Sequence, residues 1–433
     1  MGQNLKARLA LIRESGKKEE KPGEVARKTS AVSKGQEPLS MSDWSGWSEA
    51  GFMTLKREKY MQLPFSLPAA FPETLAIVVP DLVHAGHIPS PGEFLFFDLE
   101  TTGLSGGAGT VAFLAAFGRF IPIKERDCNS PGLVITQYLL LDYPGEPDFI
   151  ENIVKELSVS FPPVLVSFNG KCFDSQILKN RCLMNGIMVP RYLHADLLHP
   201  ARRLWKSRLP DCSQATIEVS VLGLERADDI SGARAPDIWF SFLRSGINRE
   251  LLLVCEHNVK DICGLASLFL VLGKIAAAPL ESRKFFKFDE EAFALIWHKA
   301  SKNRELYQNC GKIAELLLKN AAENGFPRAA FALALEYFKK GHSGKGRSLM
   351  LKLVEDNSWK NTADHSGKEK TAVLRAAALR TLAMDAQWRL KDLPLALGYT
   401  ESALACTEIS ANFRKELETR YSRLEKKINE PTV

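Results

Sequence analysis

The sequence lacks several patterns that would assign it to large classes of protein. None of its eight cysteines stands in a C-x-x-C or C-x-x-H pair, which argues against a zinc site or a redox motif and favours free thiols in a reducing compartment. No apolar run approaches the ~20 residues that a membrane-spanning helix needs, and no signal-peptide core stands at the N-terminus. We therefore expect a cytoplasmic protein without a membrane partner.

A glycine-rich stretch at 103–110 lacks the Gly-Lys-Ser/Thr ending of a phosphate-binding P-loop. The strand-loop-helix context of such a loop is missing too, so we exclude that kind of nucleotide site.

What the chain does have is length and apolar content. Its 433 residues, 45% hydrophobic and 25% charged, suffice for a globular protein of two or three domains.

The most informative stretch is an apolar run at 94–104 that ends in two acids and a tight turn. Its continuous apolar pattern predicts a strand buried on both faces of a mixed or parallel sheet. Side chains alternate along a strand, so Asp98 and Glu100 would point to the same side. Two buried like charges repel each other and lose hydration, and a divalent cation between them is the natural compensation. For a lone D-x-E, a solvated strand end is the better interpretation, and a metal site is favoured only if further acids follow in order.

Further acids follow in order along the chain. A second short apolar strand at 164–168 leads to Asp174, which stands near the start of a helical pattern. By itself that acid would be interpreted as a helix cap or as a charge favoured by the helix dipole. A longer helical pattern over 251–272 carries His257 and Asp261, whose spacing of four residues places both on one helix face.

Taken together, the motifs D-x-E-T-T-G-L and N-G-x-x-F-D, followed by a His shortly before a final Asp, resemble those of the DEDD superfamily of RNase H-like 3′–5′ exonucleases. Within this superfamily, the sequence at 193–206 and the pair His257 and Asn258 resemble the YprB-type branch. The resemblance covers residues 44 to 272. Three motifs in order, each on the expected element, are far more specific than a single D-x-E.

The resemblance implies an α/β RNase H-like fold over residues 44–278, with a mixed five-stranded sheet flanked by helices. The remaining apolar patterns agree with it, because they predict strands at 111–120, 133–141 and 192–196. The first two of these would form an antiparallel meander beside the Asp98 strand. Residues 279–433 turn to Ala, Leu, Lys and Glu with almost no strand pattern, which predicts a separate α-helical domain.

Two helical-hairpin patterns in the helical domain resemble tetratricopeptide repeats, with irregular spacing. Such repeats would form a groove for a protein partner, and the alternative is a helical cap on the RNase H-like domain. The composition of residues 1–43 predicts a basic, disordered tail. Residues 1–35 carry nine Lys or Arg against four Glu, a surplus of five, which would either hold nucleic acid phosphates or only keep the chain soluble.

By motif position, the resemblance implies two divalent cations, Mg or Mn, which prefer oxygen ligands. Their ligands would be Asp98, Glu100, Asp174 and Asp261. One cation would lower the pKa of a water, and the other would stabilise the leaving 3′ oxygen. His257 would orient or deprotonate the attacking water in its neutral form.

The spacing of His257 departs from the superfamily pattern. The histidine subgroup has its His five residues before the final Asp, and the tyrosine subgroup has its Tyr four before. Here a His stands at the tyrosine spacing. The alternative interpretation is a helix-face histidine bonded to a carboxylate, and the sequence leaves both open.

Substrate contacts are expected in two places, near the metals and on a basic helix. The candidates near the metals are Thr101, Thr102, Gly103, Leu104 and Asn169, and the glycines of the 103–110 loop would let the backbone approach a terminal nucleotide. Arg202 and Arg203 lie on a predicted helix that would either bind phosphates or balance nearby acids. Asp196 is expected to support the site without binding a metal itself.

The resemblance therefore implies a metal-dependent 3′–5′ exonuclease that hydrolyses phosphodiester bonds of single-stranded or frayed nucleic acid. Its partner would be a DNA or RNA 3′ end, and contacts that distinguish the two are not readable from the sequence. The alternative is a non-catalytic nucleic-acid-binding or scaffold protein on a nuclease-derived fold. The presence of all four acids favours the enzyme.

Overall fold

The structure is a computed structural model that describes most of the chain after residue 43. The described ranges are 44–67, 74–82, 89–103, 109–121, 131–158, 163–226, 230–302, 310–355 and 367–429, with side chains from 372 onward in the last of them. The tail predicted at 1–43 and the candidate Leu104 lie outside the described residues. Within those ranges, no helix has the length and apolar character needed to cross a membrane.

The described residues form one mixed sheet in the order β1-β2-β5-β4-β3-β6-β7. Its strands are β1 (Ser48–Gly51), β2 (Thr54–Gln62), β3 (Phe94–Thr101), β4 (Ala112–Ile121), β5 (Gly132–Leu140), β6 (Val164–Ser167) and β7 (Leu193–Asp196). Strand β6 runs parallel to its neighbours β3 and β7, and the other pairs are antiparallel. The predicted RNase H-like sheet is confirmed, because all five predicted strands are present as β3 to β7.

Two strands that the sequence did not predict extend the sheet from five strands to seven. Strand β2 pairs with β5 along its whole length, from Thr54 opposite Leu140 to Gln62 opposite Gly132. Residues 56–59 are all charged and the second half of the strand is mostly exposed, which is why its pattern does not resemble a strand. The neighbouring strand β5, and not an apolar face of its own, holds this segment in the sheet.

Helices cover both faces of the sheet and are the only regular elements in the part of the C-terminal third that the structure describes. The first seven are α1 (Leu75–Val78), α2 (Glu146–Leu157), α3 (Asp174–Met184), α4 (Leu198–Trp205), α5 (Gln214–Ile217), α6 (Ala235–Ser245) and α7 (Arg249–Ala277). They are followed by α8 (Pro279–Phe286), α9 (Glu290–Ala300), α10 (Cys310–Glu323), α11 (Pro327–Lys339), α12 (Ser343–Glu355), α13 (Gly367–Asp385), α14 (Leu393–Leu404) and α15 (Ala411–Asn429). An all-helical C-terminal region is thereby confirmed.

Strand β3 is buried on both faces, and its alternation decides where the acids point. Phe94 and Phe96 pack in the hydrophobic cluster that contains α7, where both rings meet Phe269 at centroid distances of 4.8 and 5.4 Å. Leu95 and Phe97 pack in the cluster on the opposite face. The side chains of Asp98 and Glu100 continue the series of Phe94 and Phe96, so they face α7.

Helix α7 lies close against the sheet because a glycine permits it. A Cβ at Gly118 on β4 would lie 2.7 Å from Cγ2 of Ile262 on α7, closer than real side chains approach. The same helix carries His257 and Asp261 on the turns before Ile262. The close contact at Gly118 therefore helps to hold α7 at the distance from which its polar face reaches the acids of β3.

One hydrophobic cluster runs from the sheet into the C-terminal helices. It joins Phe96 and Phe269 to Trp297, Leu333 and other residues of α9 to α13. Backbone and side-chain hydrogen bonds cross residue 278 as well, from Trp205 Nε1 to the Phe286 carbonyl at 3.0 Å and from the Asp289 N–H to the Leu204 carbonyl at 2.8 Å. The predicted division at 278/279 and the tetratricopeptide-like repeats stay predictions.

Candidate metal centre

The acids predicted from three separate motifs line one cleft. Its volume is about 250 Å³. The lining side chains include Asp98, Glu100, Asp174, His257 and Asp261, with Thr101, Asn169, Phe168, Phe173 and Pro236 around them. The acids come from β3, from the start of α3 and from the middle of α7, elements that meet at the carboxyl ends of β3 and β6.

The positions of Asp98 and Glu100 on β3 raise the pKa values of both acids. Burial raises the pKa of Asp98 well above its usual range, and the negative charges of Asp261, Asp174 and Glu100 raise it further. The pKa of Glu100 is raised well above its usual range by burial first and then by Asp261 and Asp174. Each acid of the group therefore resists ionisation of its neighbours, as the sequence pattern suggested.

Asp174 is the first residue of α3 and is buried. Burial raises its pKa to about 7, with a smaller contribution from the charge of Asp196. The turn before it is tight. Asn169 has a left-handed backbone with φ of 65°, and a Cβ at Gly170 would lie 2.5 Å from the Ser167 hydroxyl oxygen and 2.9 Å from Asp174 Oδ2.

Asp196 anchors this turn from the end of β7. Its carboxylate accepts hydrogen bonds from the backbone N–H groups of Asn169 at 2.8 Å, Lys171 at 3.1 Å and Leu198 at 3.0 Å. These three donors engage both carboxylate oxygens, and Asp196 is not among the residues that line the cleft. Asp196 thus orients the segment that presents Asp174, in agreement with the supporting role expected for it.

His257 and Asp261 lie one turn apart on α7. The distance from His257 Nε2 to Asp261 Oδ2 is 3.2 Å. Glu100, His257 and Asp261 each offer a ligand atom, and these atoms lie within 4.8 Å of one another. This group joins an acid of the central strand to the polar face of α7 across the cleft.

An amide relay that sequence reasoning missed holds Asp98. The Nδ2 of Asn258 donates to Asp98 Oδ2 at 2.7 Å, and its Oδ1 accepts from Gln137 Nε2 at 2.7 Å. Gln137 Oε1 in turn accepts from Arg57 Nε at 2.6 Å. Gln137 and Asn258 are both fully buried. The available signal was a glutamine inside the otherwise apolar strand at 133–140.

A second pair of residues missed from the sequence reaches Asp261. Arg226 forms an ion pair with Asp261 through Oδ1 and another with Glu218, whose Oε2 lies 2.5 Å from Arg226 Nε. Glu218 is buried in a short π-helix (Glu218–Leu222) that follows α5. These contacts raise the pKa of Arg226 further above its ordinary range, against the opposing effect of burial.

The remaining predicted substrate residues divide into three groups. Thr101 and Asn169 line the cleft. Thr102 and Gly103 instead build the turn after β3: Thr102 Oγ1 accepts from the Val111 N–H at 3.0 Å, and the Gly103 carbonyl accepts from the Thr101 hydroxyl at 3.0 Å. Arg202 and Arg203 are exposed on α4 and are not among the residues that line the cleft.

The donor set fits a divalent cation. Four carboxylates and one imidazole converge on the cleft, and oxygen-rich sites of this kind suit Mg or Mn. In the described part of the chain, no Lys or Arg pairs with Asp98, Glu100 or Asp174. A bound cation would supply the compensating charge that these three acids lack.

The strand order, the helices on both faces and the acids of the cleft define an RNase H-like domain. Residues 95–272 match the family model of the RNase H superfamily. The chain is similar to "Uncharacterized protein YprB" of Bacillus subtilis (strain 168), with 29% identity over 341 residues, which is 77% of this chain and 75% of the relative.

A solved structure also overlaps part of the chain. It is the family B DNA polymerase from the hyperthermophilic archaeon Pyrobaculum calidifontis, with 16% identity and a TM-score of 0.30. The overlap covers 49% of this chain and 30% of the polymerase, so the chain spans less than a third of that protein. A TM-score of 0.30 does not establish a common architecture.

Proposed function

We propose that the protein is a metal-dependent 3′–5′ exonuclease, a hydrolase of phosphodiester bonds in single-stranded or frayed nucleic acid. The observation that carries this proposal is the convergence of Asp98, Glu100, Asp174 and Asp261 with His257 on one cleft. The four acids come from three elements far apart in sequence. Such a concentration of buried negative charge is costly to the fold, and this cost is expected of a functional site.

The roles of the side chains follow from their places in the cleft. Asp98, Glu100, Asp174 and Asp261 would hold two divalent cations, Mg or Mn. When bound, these ions would lower the pKa of the attacking water and stabilise the leaving 3′ oxygen. His257 would orient that water or take its proton, and Asp261 Oδ2, 3.2 Å from Nε2, would orient the imidazole.

The size of the cleft supports an end-directed reaction. At about 250 Å³ it is smaller than the ~300–1,000 Å³ of typical ligand pockets, so it suits one terminal nucleotide better than an intact duplex. Phe168 and Phe173 beside the acids offer apolar rings on which a base can rest. Asn169 and Thr101, which line the cleft, would contact the sugar or the phosphate.

The test is nucleotide release from single strands labelled at the 5′ end, with Mn or Mg and with matched DNA and RNA substrates. We expect a ladder of shortened labelled strands, free mononucleotides, and no reaction in EDTA. Asp174→Asn is the matched inactive control. Strands that are bound but never shortened would support the non-catalytic binding protein instead, and internal cuts without mononucleotides would overturn the exonuclease assignment.

The proposal also includes the domain boundaries, the location and the role of the basic tail that the sequence predicts. We propose an RNase H-like domain over 44–278 and a helical domain over 279–433 that binds a protein partner or caps the first domain. The seven cysteines in the described residues are free thiols, which is compatible with the cytoplasmic location that we propose. The basic tail would add affinity for phosphates that disappears at high salt.

A further inference from the structure

The contacts of Arg226 divide the two oxygens of Asp261 between different partners. Oδ1 pairs with the Arg226 guanidinium, whereas Oδ2 lies 3.2 Å from His257 Nε2. Asp261 also contributes a ligand atom to the group within 4.8 Å that includes Glu100 and His257. The guanidinium therefore fixes the rotation of the carboxylate and leaves its other oxygen toward the cleft.

Arg226 is itself held in place by a buried carboxylate. Glu218 is 2% exposed and accepts from Arg226 Nε at 2.5 Å. Gln214 Nε2 donates to Glu218 Oε1 at 2.9 Å and also to the backbone carbonyl of Asp261 at 2.7 Å. Helix α5 and the π-helix after it are thus connected to α7 at both the backbone and the side chain of Asp261.

A glycine lets Glu218 approach α7 at this point. Gly264 lies three residues beyond Asp261, on nearly the same face of the helix. A Cβ at Gly264 would overlap the Glu218 carboxylate. Any larger residue at 264 would displace Glu218 and, with it, the support of Arg226.

We infer that Arg226 is a positioning residue of the proposed metal centre: held by Glu218, it locks Asp261 Oδ1 so that Oδ2 stays directed toward His257, with which Asp261 and Glu100 form the group of candidate ligands. This inference rests on the proposed function. The planar fork of arginine suits the task, because it can bind two carboxylates in fixed directions at once. Residues that orient ligands in this way typically change metal affinity or activity by ~10–100-fold when they are replaced.

The opposite role for Arg226 would be competition with a cation for Asp261. Competition and positioning predict opposite signs, because removal of a competing positive charge tightens cation binding, whereas removal of a positioning group weakens it. The experiment therefore measures Mn binding directly, by calorimetric titration of the full chain. Activity is a second measurement.

The variants are Arg226→Gln, Arg226→Lys and Gly264→Ala. Arg226→Gln leaves the buried Glu218 without its cation, so the double variant of Glu218→Gln with Arg226→Gln provides a second test in a chain from which both charges are gone. The matched control is Arg119→Gln, which breaks a comparable partly buried ion pair with Glu156 outside the cleft lining. We expect Arg226→Gln and the double variant to weaken Mn binding by ~10–100-fold.

We expect a smaller loss from Arg226→Lys, because a lysine keeps the charge and loses the fork. Gly264→Ala should weaken Mn binding, and Arg119→Gln should not. The kcat at a fixed Mn concentration should fall while the KM for the strand changes little. Unchanged or tighter Mn binding in Arg226→Gln and the double variant would overturn this inference alone. A wild-type chain that binds no Mn would overturn the proposed function together with it.

Discussion

Asp98 and Asp261 face the same cleft, but the protein holds them in different ways. Asp98 receives a hydrogen bond from the neutral amide of Asn258, whereas Asp261 is paired with the cationic Arg226. Burial and neighbouring charges raise the pKa of Asp98 well above its usual range. The amide fixes the direction of the Asp98 carboxylate without neutralising it.

The difference indicates which acids depend most on a metal. Asp98, Glu100 and Asp174 have raised pKa values whose first cause is burial. Asp261 already has a cationic partner. We therefore expect the acids of β3 and α3 to gain most from a bound cation, and Asp261 to keep its orientation through Arg226.

The largest effect is expected from removal of an acid without a cationic partner. Asp98→Asn and Asp174→Asn should each reduce nucleotide release below detection, because each removes a ligand charge. The measurement is single-turnover release with Mn, with circular dichroism as the control for folding. Substantial turnover in either folded variant would contradict the four-carboxylate site.

The next effect concerns the base on the helix side. His257→Ala should lower kcat by ~10²–10⁴-fold with little change in KM, since a base acts mainly on the transition state. His298→Ala is the matched control, because His298 lies 3.8 Å from Glu336 in the helical region. His257→Tyr should restore part of the rate if position matters more than the imidazole. Near-normal turnover of His257→Ala would remove the base assignment.

A smaller effect is expected when the amide support of Asp98 is removed. Asn258→Ala should lower activity by ~10–100-fold, because Asp98 loses the donor that orients it. Asn248→Ala is the matched control: Asn248 is buried at the start of the same helix, and its side chain has no hydrogen-bond partner among the described residues. Equal activity in the two variants would mean that the amide relay is only part of the core.

The smallest effect is on stability and depends on pH. An acid with a raised pKa in the folded state contributes stability below its unfolded pKa and loses it as pH rises through its folded pKa. For Asp174 this loss should run from roughly 4, the usual unfolded value, to about 7. In EDTA at pH 8, Asp98→Asn and Asp174→Asn should therefore raise the melting temperature by a few degrees.

Thermal unfolding of an Asp261 variant tests the difference between Asp261 and the acids that have no cationic partner. Asp261→Asn should lower the melting temperature in EDTA at pH 8, because it removes the partner of a partly buried arginine. Added Mn should stabilise the wild type more at pH 8 than at pH 5, since protons compete for the acids at the lower pH. Stabilisation by all three Asn changes alike would show that Arg226 does not compensate Asp261.

The sequence was sufficient where a pattern is local. The alternation of β3 placed Asp98 and Glu100 on one side, and helical spacing placed His257 and Asp261 on one face. It failed where a contact joins distant segments. Arg226 and Asp261 are 35 residues apart, and Gln137 and Asn258 are 121 apart, so neither pair leaves a periodic signal.

The sequence also could not predict which side chains of a helix line the cleft and which are exposed elsewhere on the surface. The helical pattern correctly placed Arg202 and Arg203 on α4, but only the fold shows that they are exposed and do not line the cleft. Strand β2 was missed because its charged residues 56–59 and its exposed end give no apolar pattern, and its partner β5 holds it in the sheet. For both α4 and β2, the sequence does not contain the information on which other segment of the chain lies beside the element.

The hydrophobic cluster that runs from β3 to the C-terminal helices affects how this protein can change over evolutionary time. Phe269 packs against Phe94 and Phe96 and belongs to the same cluster as Leu333 and Leu382. Recombination that exchanged the C-terminal helices at residue 278 would bring in side chains shaped for another core. The two regions are therefore expected to be inherited as one unit, with substitutions on either side of that residue selected together.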